Sequence, residues 1–303
     1  MKTINIVILV FFSYNSFALK PDSVYRVRPE KYALIYKEFN VKTPDGFNIK
    51  TWFYPAQDSV PYDTIKSYYE NPKVRPYKTL NNNPKPTIVI CDGDAGNMIG
   101  LISLAGKFVT FGYNVVTFDW RGFGESDKFP IEKNLLCHKE FLIDYNAVID
   151  SIVQIIEVDS EHIGLYGFST GAYLSFAVAY KNENVKCFAG RALMTSFDEF
   201  LPLLFEIKPE KKGIVKKPED YPIELYPINI APEFKKPALL IVGTEDKRTP
   251  VSMSERIFEK IVGEKELWIV QGAEHGGING PEYLDRKEFL KKTTEFYDKY
   301  LKN

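Results

Sequence analysis

From Pro86 onward, short apolar runs alternate with stretches whose apolar residues recur at helical spacing. The runs are Thr87 to Cys91, Asn114 to Asp119, Ile163 to Phe168, Val185 to Met194, Ala238 to Val242 and Leu267 to Val270. They are short, often β-branched and largely unalternated with polar residues, as strands buried on both faces require. Between them, Phe141, Leu142, Tyr145, Val148, Ile149, Ile152 and Ile156 recur at helical spacing, as do Phe289, Phe296 and Tyr300 near the end. This alternation predicts an α/β fold with a doubly wound, parallel sheet. Ligands of such sheets bind where the strands deliver their carboxyl ends.

Two period-two runs, Tyr36 to Lys42 and Phe47 to Tyr54, precede this region, with Pro44-Asp45-Gly46 between them. Turn residues between such runs predict an antiparallel hairpin. A polar, tyrosine-rich connection from Gln57 to Lys85 follows. It is long for a compact domain, so it either covers an edge or reaches over a site. Residues 197–236 break the strand–helix alternation with several prolines and aromatics and are expected to form a small cap. The basic stretch Lys208 to Lys217 within it reads as a solvated loop.

The first eighteen residues differ from the rest. Lys2 gives a short positive start, Ile4 to Phe12 an apolar run, and Ser16-Phe17-Ala18 a small-x-small cleavage signal. The run is about half the length needed to cross a bilayer, so no stable membrane span is expected. Residues 1–18 therefore read as a signal peptide, with a mature, periplasmic or secreted domain from Leu19 to Asn303. An N-terminal core strand is the competing reading.

Composition narrows the function. With 39 basic and 40 acidic residues the net charge is -1. That gives no sign of the clustered basic surface a nucleic-acid partner needs. Three cysteines, Cys91, Cys137 and Cys187, permit at most one bridge, and Cys91, ending an apolar run, reads as a buried thiol. Among these and the three histidines, His138, His162 and His275, no pair has metal-ligand spacing, so neither a metal nor another cofactor is expected.

The sharpest motif is Gly167-Phe168-Ser169-Thr170-Gly171, with an apolar strand running in and a helix-compatible stretch, Ala172 to Tyr180, running out. A serine on such a tight turn is strained and projects its hydroxyl above the sheet, while the helix start offers free N–H groups to negative charge. The competing reading is an ordinary glycine-rich turn.

In this context the chain resembles the α/β-hydrolase superfamily, from the hairpin at Tyr36 to the last helix. The resemblance implies an eight-stranded, mostly parallel sheet flanked by helices, and catalytic residues in the chain order serine, acid, histidine. Gly243-Thr244-Glu245-Asp246, after the run Ala238 to Val242, is similar to the family's acid loop, with Asp246 matching the acid and Glu245 as the neighbouring alternative. His275, after the run Leu267 to Val270, sits where the family keeps its base. His162 lies at the wrong end of its strand, and His138 heads a helix as a surface or capping residue. Backbone donors to the oxyanion are expected from Thr170 and from Asp94, in Asp92-Gly93-Asp94, where the family usually has histidine at the position of Asp92. Asp119-Trp120-Arg121-Gly122-Phe123-Gly124-Glu125-Ser126 is another family landmark and is assigned a structural role.

The expected activity is hydrolysis of a small carboxylic ester through an acyl-enzyme on Ser169. A peptidase resembling the prolyl-oligopeptidase catalytic core, an acyltransferase, or a non-catalytic binder on the same scaffold are the alternatives.

Overall fold

The computed structural model describes residues 17–73, 79–80 and 83–302. Its strands, in chain order, are β1 (Lys20–Pro21), β2 (Lys37–Lys42), β3 (Asn48–Tyr54), β4 (Lys85–Cys91), β5 (Ala95–Gly96), β6 (Asn114–Phe118), β7 (Val158–Phe168), β8 (Val185–Arg191), β9 (Ala238–Gly243) and β10 (Lys265–Val270). β1 and β5 form a small parallel pair. The other eight make one sheet in the order β10-β9-β8-β7-β4-β6-β3-β2. Neighbours from β10 to β6 are parallel, and the hairpin β2–β3 joins antiparallel at the β6 edge.

The helices are α1 (Tyr62–Glu70), α2 (Ile102–Thr110), α3 (Glu140–Ile152), α4 (Thr170–Lys181), α5 (Phe197–Ile207), α6 (Pro227–Ile230), α7 (Val251–Lys260), α8 (Pro281–Leu284) and α9 (Arg286–Leu301). Side chains of β4 point alternately to two faces. Ile88 and Ile90 pack with Phe108 of α2 and with Phe289 and Tyr297 of α9. Val89 and Cys91 meet Tyr145 and Val148 of α3 and Leu174 of α4. With helices on both faces, every position of a central strand gains from being apolar, which is why the run has no polar alternation.

Several details depart from the sequence pattern. α3 stops at Ile152, and Ile156 lies beyond it, 86% exposed, where the chain turns into β7. β7 starts at Val158 rather than Ile163; Val158 pairs with Lys85 of β4, and the polar residues 159–162 that follow shift the register of that pairing. The tyrosine-rich connection contains a helix the pattern did not reveal, α1, which packs on the turn Pro29–Tyr32 with Tyr69 against Tyr32. It buries little beyond Tyr68, hence its weak apolar signal. Positions 74–78 and 81–82 of that connection lie outside the described residues.

Residues 197–236 hold α5 and α6 joined by irregular chain, and they pack on α4. Tyr173 of α4 meets Phe197, Tyr221 and Tyr226 at ring separations of 4.6, 5.5 and 6.3 Å. The basic stretch within it is not uniformly solvated. Lys211 is only 8% exposed, and its Nζ donates to the Phe17 carbonyl at 3.0 Å. The stem packs into the fold while the ammonium reaches a cavity wall, an option open to a long amphipathic side chain. Most of the expected signal peptide, residues 1–16, lies outside the described residues. Ala18 and Leu19 are buried, and both N–H groups donate to the Lys133 carbonyl, at 2.9 and 3.0 Å. All three cysteines are free and buried.

The landmark after β6 ties these parts together. Arg121, 1% exposed, donates through Nε to Asp144 Oδ1 of α3 at 2.8 Å and through Nη1 to Asp45 of the hairpin turn at 2.6 Å. Removing one partner of such a buried pair costs about 3–5 kcal/mol. Asp119 accepts from the Met98 N–H at 2.7 Å and from the Tyr25 hydroxyl. Burial, with the nearby Asp92 charge, outweighs these donors and pushes its carboxyl up to about 7. A group whose folded-state value is raised contributes stability that is complete below its unfolded value and is lost as pH rises through the folded one. For Asp119 that window runs from the ordinary 3.8 to about 7. The wild type should therefore lose more stability than Asp119→Asn across this window, measured by urea unfolding. Parallel pH slopes would exclude the effect.

Candidate active site

The turn between β7 and α4 carries Ser169 with φ 53° and ψ -120°, a left-handed backbone that costs a non-glycine residue of order 1–3 kcal/mol. Its neighbours make this geometry obligatory. A Cβ on Gly167 would stand 2.5 Å from Ala172 Cα, and one on Gly171 would stand 2.2 Å from the Asp92 carbonyl oxygen. The Ser169 N–H donates to the Arg191 carbonyl at the end of β8, at 2.9 Å. The turn is thus held between the ends of β4 and β8.

The three residues expected to act together converge there. Ser169 Oγ lies 3.0 Å from His275 Nε2, and His275 Nδ1 lies 2.9 and 3.0 Å from the two oxygens of Asp246. Asp246, 3% exposed, also accepts from the N–H groups of Arg248 and Thr249 and, at 2.6 Å, from the Thr249 hydroxyl. Burial pushes its carboxyl up, but His275 and these donors outweigh burial and hold it below the ordinary carboxylate range. Glu245, the neighbouring alternative, is exposed, and no hydrogen bond joins it to His275 among the described residues.

Thr170 and Asp94 line one cavity of about 230 Å³ with Ser169 and His275. Thr170 is the first residue of α4, where N–H groups lack helical partners. In the loop after β4 the Gly93 N–H is taken by the Asp92 carboxylate at 2.8 Å. Burial pushes the Asp92 carboxyl up, against the pull of Gly93 N–H and Arg191. The other two histidines lie elsewhere. His162 pairs with Asp159 at 2.8 Å at the start of β7, and His138 Nε2 accepts from the Glu132 N–H.

Sequence reasoning missed Arg191. Its guanidinium, 5% exposed, donates to the His275 carbonyl at 3.1 Å, reaches Glu282 at 3.3 Å and lies 3.8 Å over the Phe168 ring. It tethers the histidine loop to β8. The available signal was a charged residue inside the otherwise apolar run Val185 to Met194. Among the described residues, no cluster of histidine, cysteine or carboxylate side chains could hold a metal, and no helix is long and apolar enough to cross a membrane.

An eight-stranded, mostly parallel sheet with helices on both faces and this serine turn defines a serine hydrolase of the α/β-hydrolase superfamily. The chain belongs to the prolyl oligopeptidase family, whose profile it matches over residues 103–303. It is similar to the YqkD protein of Bacillus subtilis, 27% identical over 257 residues that cover 78% of this chain and 76% of that one. Among solved structures it is similar to the Pyrococcus furiosus esterase Pf2001. The TM-score is 0.70 at 18% identity, covering 93% of this chain and 97% of that one. A puromycin-hydrolyzing peptidase of Mycobacterium tuberculosis aligns with TM-score 0.63 at 15% identity, over 92% of this chain and 41% of that one.

Arg191→Met should lower kcat by roughly ten- to a hundredfold, since misplacing a reacting group by about 1 Å costs about that much. Labelling of Ser169 by a fluorophosphonate should slow in parallel, and Arg191→Lys should recover part of both rates. Unchanged kcat in a folded Arg191→Met protein would remove the tether from the account.

Proposed function

We propose that the protein hydrolyses a small carboxylic ester through an acyl-enzyme on Ser169. The observation that carries this is the unbroken relay from Ser169 Oγ through the His275 ring to Asp246, each step at 2.9–3.0 Å. With Asp246 accepting from Nδ1–H, His275 Nε2 is left to accept the serine proton. Ser169 Oγ attacks the ester carbonyl carbon as its proton passes to Nε2. The carbonyl oxygen becomes an oxyanion, met by the backbone N–H groups of Thr170 and Asp94, each worth about 3 kcal/mol. Collapse expels the alcohol, which takes the proton from Nε2. Water then attacks the acyl-serine with His275 again as base, releasing the carboxylic acid and restoring Ser169.

Two features favour an ester over an amide of a free amino acid or peptide. The cavity at Ser169 is small and has Leu136, Phe200 and Leu204 in its lining, which suits a short acyl chain. Its charged side chains are mostly cations, Lys20, Lys208, Lys211 and Arg248, which repel an α-ammonium near the scissile bond. The peptidase reading draws its support from the family. We also propose export, from the sequence pattern of residues 1–18. The buried thiols are compatible with an oxidising compartment, as none is placed for stray bridging.

Ser169→Ala and His275→Ala should each lower ester turnover by at least roughly a thousandfold in folded protein. His162→Ala should stay within a few-fold of wild type. A fluorophosphonate should label the wild type and not Ser169→Ala; a folded wild type that resists labelling ends the acyl-enzyme reading. Faster turnover of an aminoacyl amide than of an aryl ester would decide for the peptidase. Because Asp246 is held below the ordinary carboxylate range, it stays ionised wherever an imidazole titrates. Log kcat/KM should accordingly fall with unit slope on the acid side, and a slope of two would implicate a second essential group.

A further inference from the structure

The cavity at Ser169 contains more positive charge than its surroundings neutralise. Lys20, Lys208, Lys211 and Arg248 line it, and Asp94 is the only carboxylate among its lining residues. Among the described residues none of the four cations forms an ion pair. They come from three separate parts of the chain: β1, the end of the α5 segment and the loop after β9. Their meeting is therefore a product of the fold rather than of a basic run in the sequence.

Lys211 shows how the charge bears on the cavity. It is largely buried, lines the cavity and forms no ion pair among the described residues. Burial pushes the ammonium down, and the charges of Lys208, Lys20 and Arg248 push the same way, against Asp94 alone. Like charges gathered in a partly enclosed space repel one another, and an arriving anion relieves that repulsion as well as meeting each cation directly. The wider cleft beside the cavity, of about 620 Å³, has a different balance. It is lined by Asp94, Glu245 and Glu274 with Lys247 and Arg248. The excess positive charge is thus carried by the cavity at Ser169 and not by the cleft beside it.

We propose that the substrate's acyl group ends in an anion, a carboxylate or a phosphate-like group, that is held by Lys20, Lys208, Lys211 and Arg248. This rests on the ester-hydrolase reading and names its substrate class. A short chain of methylenes against the apolar wall joins the reacting carbonyl to the anion. The leaving alcohol departs through the wider cleft, whose lining has three carboxylates and two cations. The cations act on binding and orientation and exchange no proton with the reacting atoms.

The test compares kcat/KM for three p-nitrophenyl esters of similar length: pentanoate, hemiglutarate and 4-phosphonobutanoate. At low ionic strength an anionic ester should be preferred over pentanoate by at least about tenfold, and the preference should shrink as salt is added. The better of the two anionic esters identifies the terminal group. Lys208→Gln and Lys20→Gln, made separately so that one unstable variant does not decide the matter, should each lower the anionic-to-neutral ratio several-fold. Pentanoate turned over as well as both anionic esters, or a ratio that neither substitution changes, overturns the anion site and leaves the ester hydrolase standing. Failure of all three esters together with failure of fluorophosphonate labelling would instead remove the hydrolase reading beneath it.

Discussion

The close approach of the serine turn to the end of β4 is the constraint on which the rest of the structure depends. Gly171 lies so near the Asp92 carbonyl that a single methyl group there would overlap it. That contact, with the hydrogen bond from Ser169 N–H to Arg191, holds Ser169 in a backbone conformation it would not adopt in an unconstrained turn. It also sets the loop carrying Asp94 against the first turn of α4. The Ser169 hydroxyl, the start of α4 and the loop carrying Asp94 are therefore brought together by one packing event between parallel strands.

Much of this was legible in the sequence because the sheet is buried on both faces. Its strands need apolar residues at every position, and the six runs from Thr87 to Val270 mark strands of the sheet. The glycines around Ser169 were legible for a steric reason, and Asp246 and His275 through their positions after later strands. What stayed hidden depends on contacts distant in sequence. α1 buries one side chain and carries little periodic signal. Arg191 is hidden in a run read for its hydrophobicity, and its purpose is visible only once the loop after β10 lies above it. Lys211 belongs to a stretch whose composition suggests solvent, yet its side chain is buried in the fold.

Electrostatics divides the site in a way the net charge of -1 conceals. Acidic groups accumulate where donors or burial manage them: Asp246 is held ionised by its donors, while burial pushes Asp92 and Asp119 toward the neutral form. At the cavity, burial pushes Lys211 the corresponding way, and Lys20, Lys208 and Arg248 have no carboxylate partner among the described residues. Four cations that form no ion pair among the described residues, beside Ser169, present a directional field to anything that enters.

The Arg191 tether has an evolutionary implication. Ser169 belongs to the packed strand ends, whereas His275 rides on a loop, and its own carbonyl accepts a hydrogen bond from the Arg191 guanidinium. Glu282 and Gly280 flank that guanidinium and lie outside the strands, so they bear on the histidine loop rather than on strand pairing. Descendants adapting to colder or hotter surroundings have there a place to trade rigidity for turnover while the architecture stays constant.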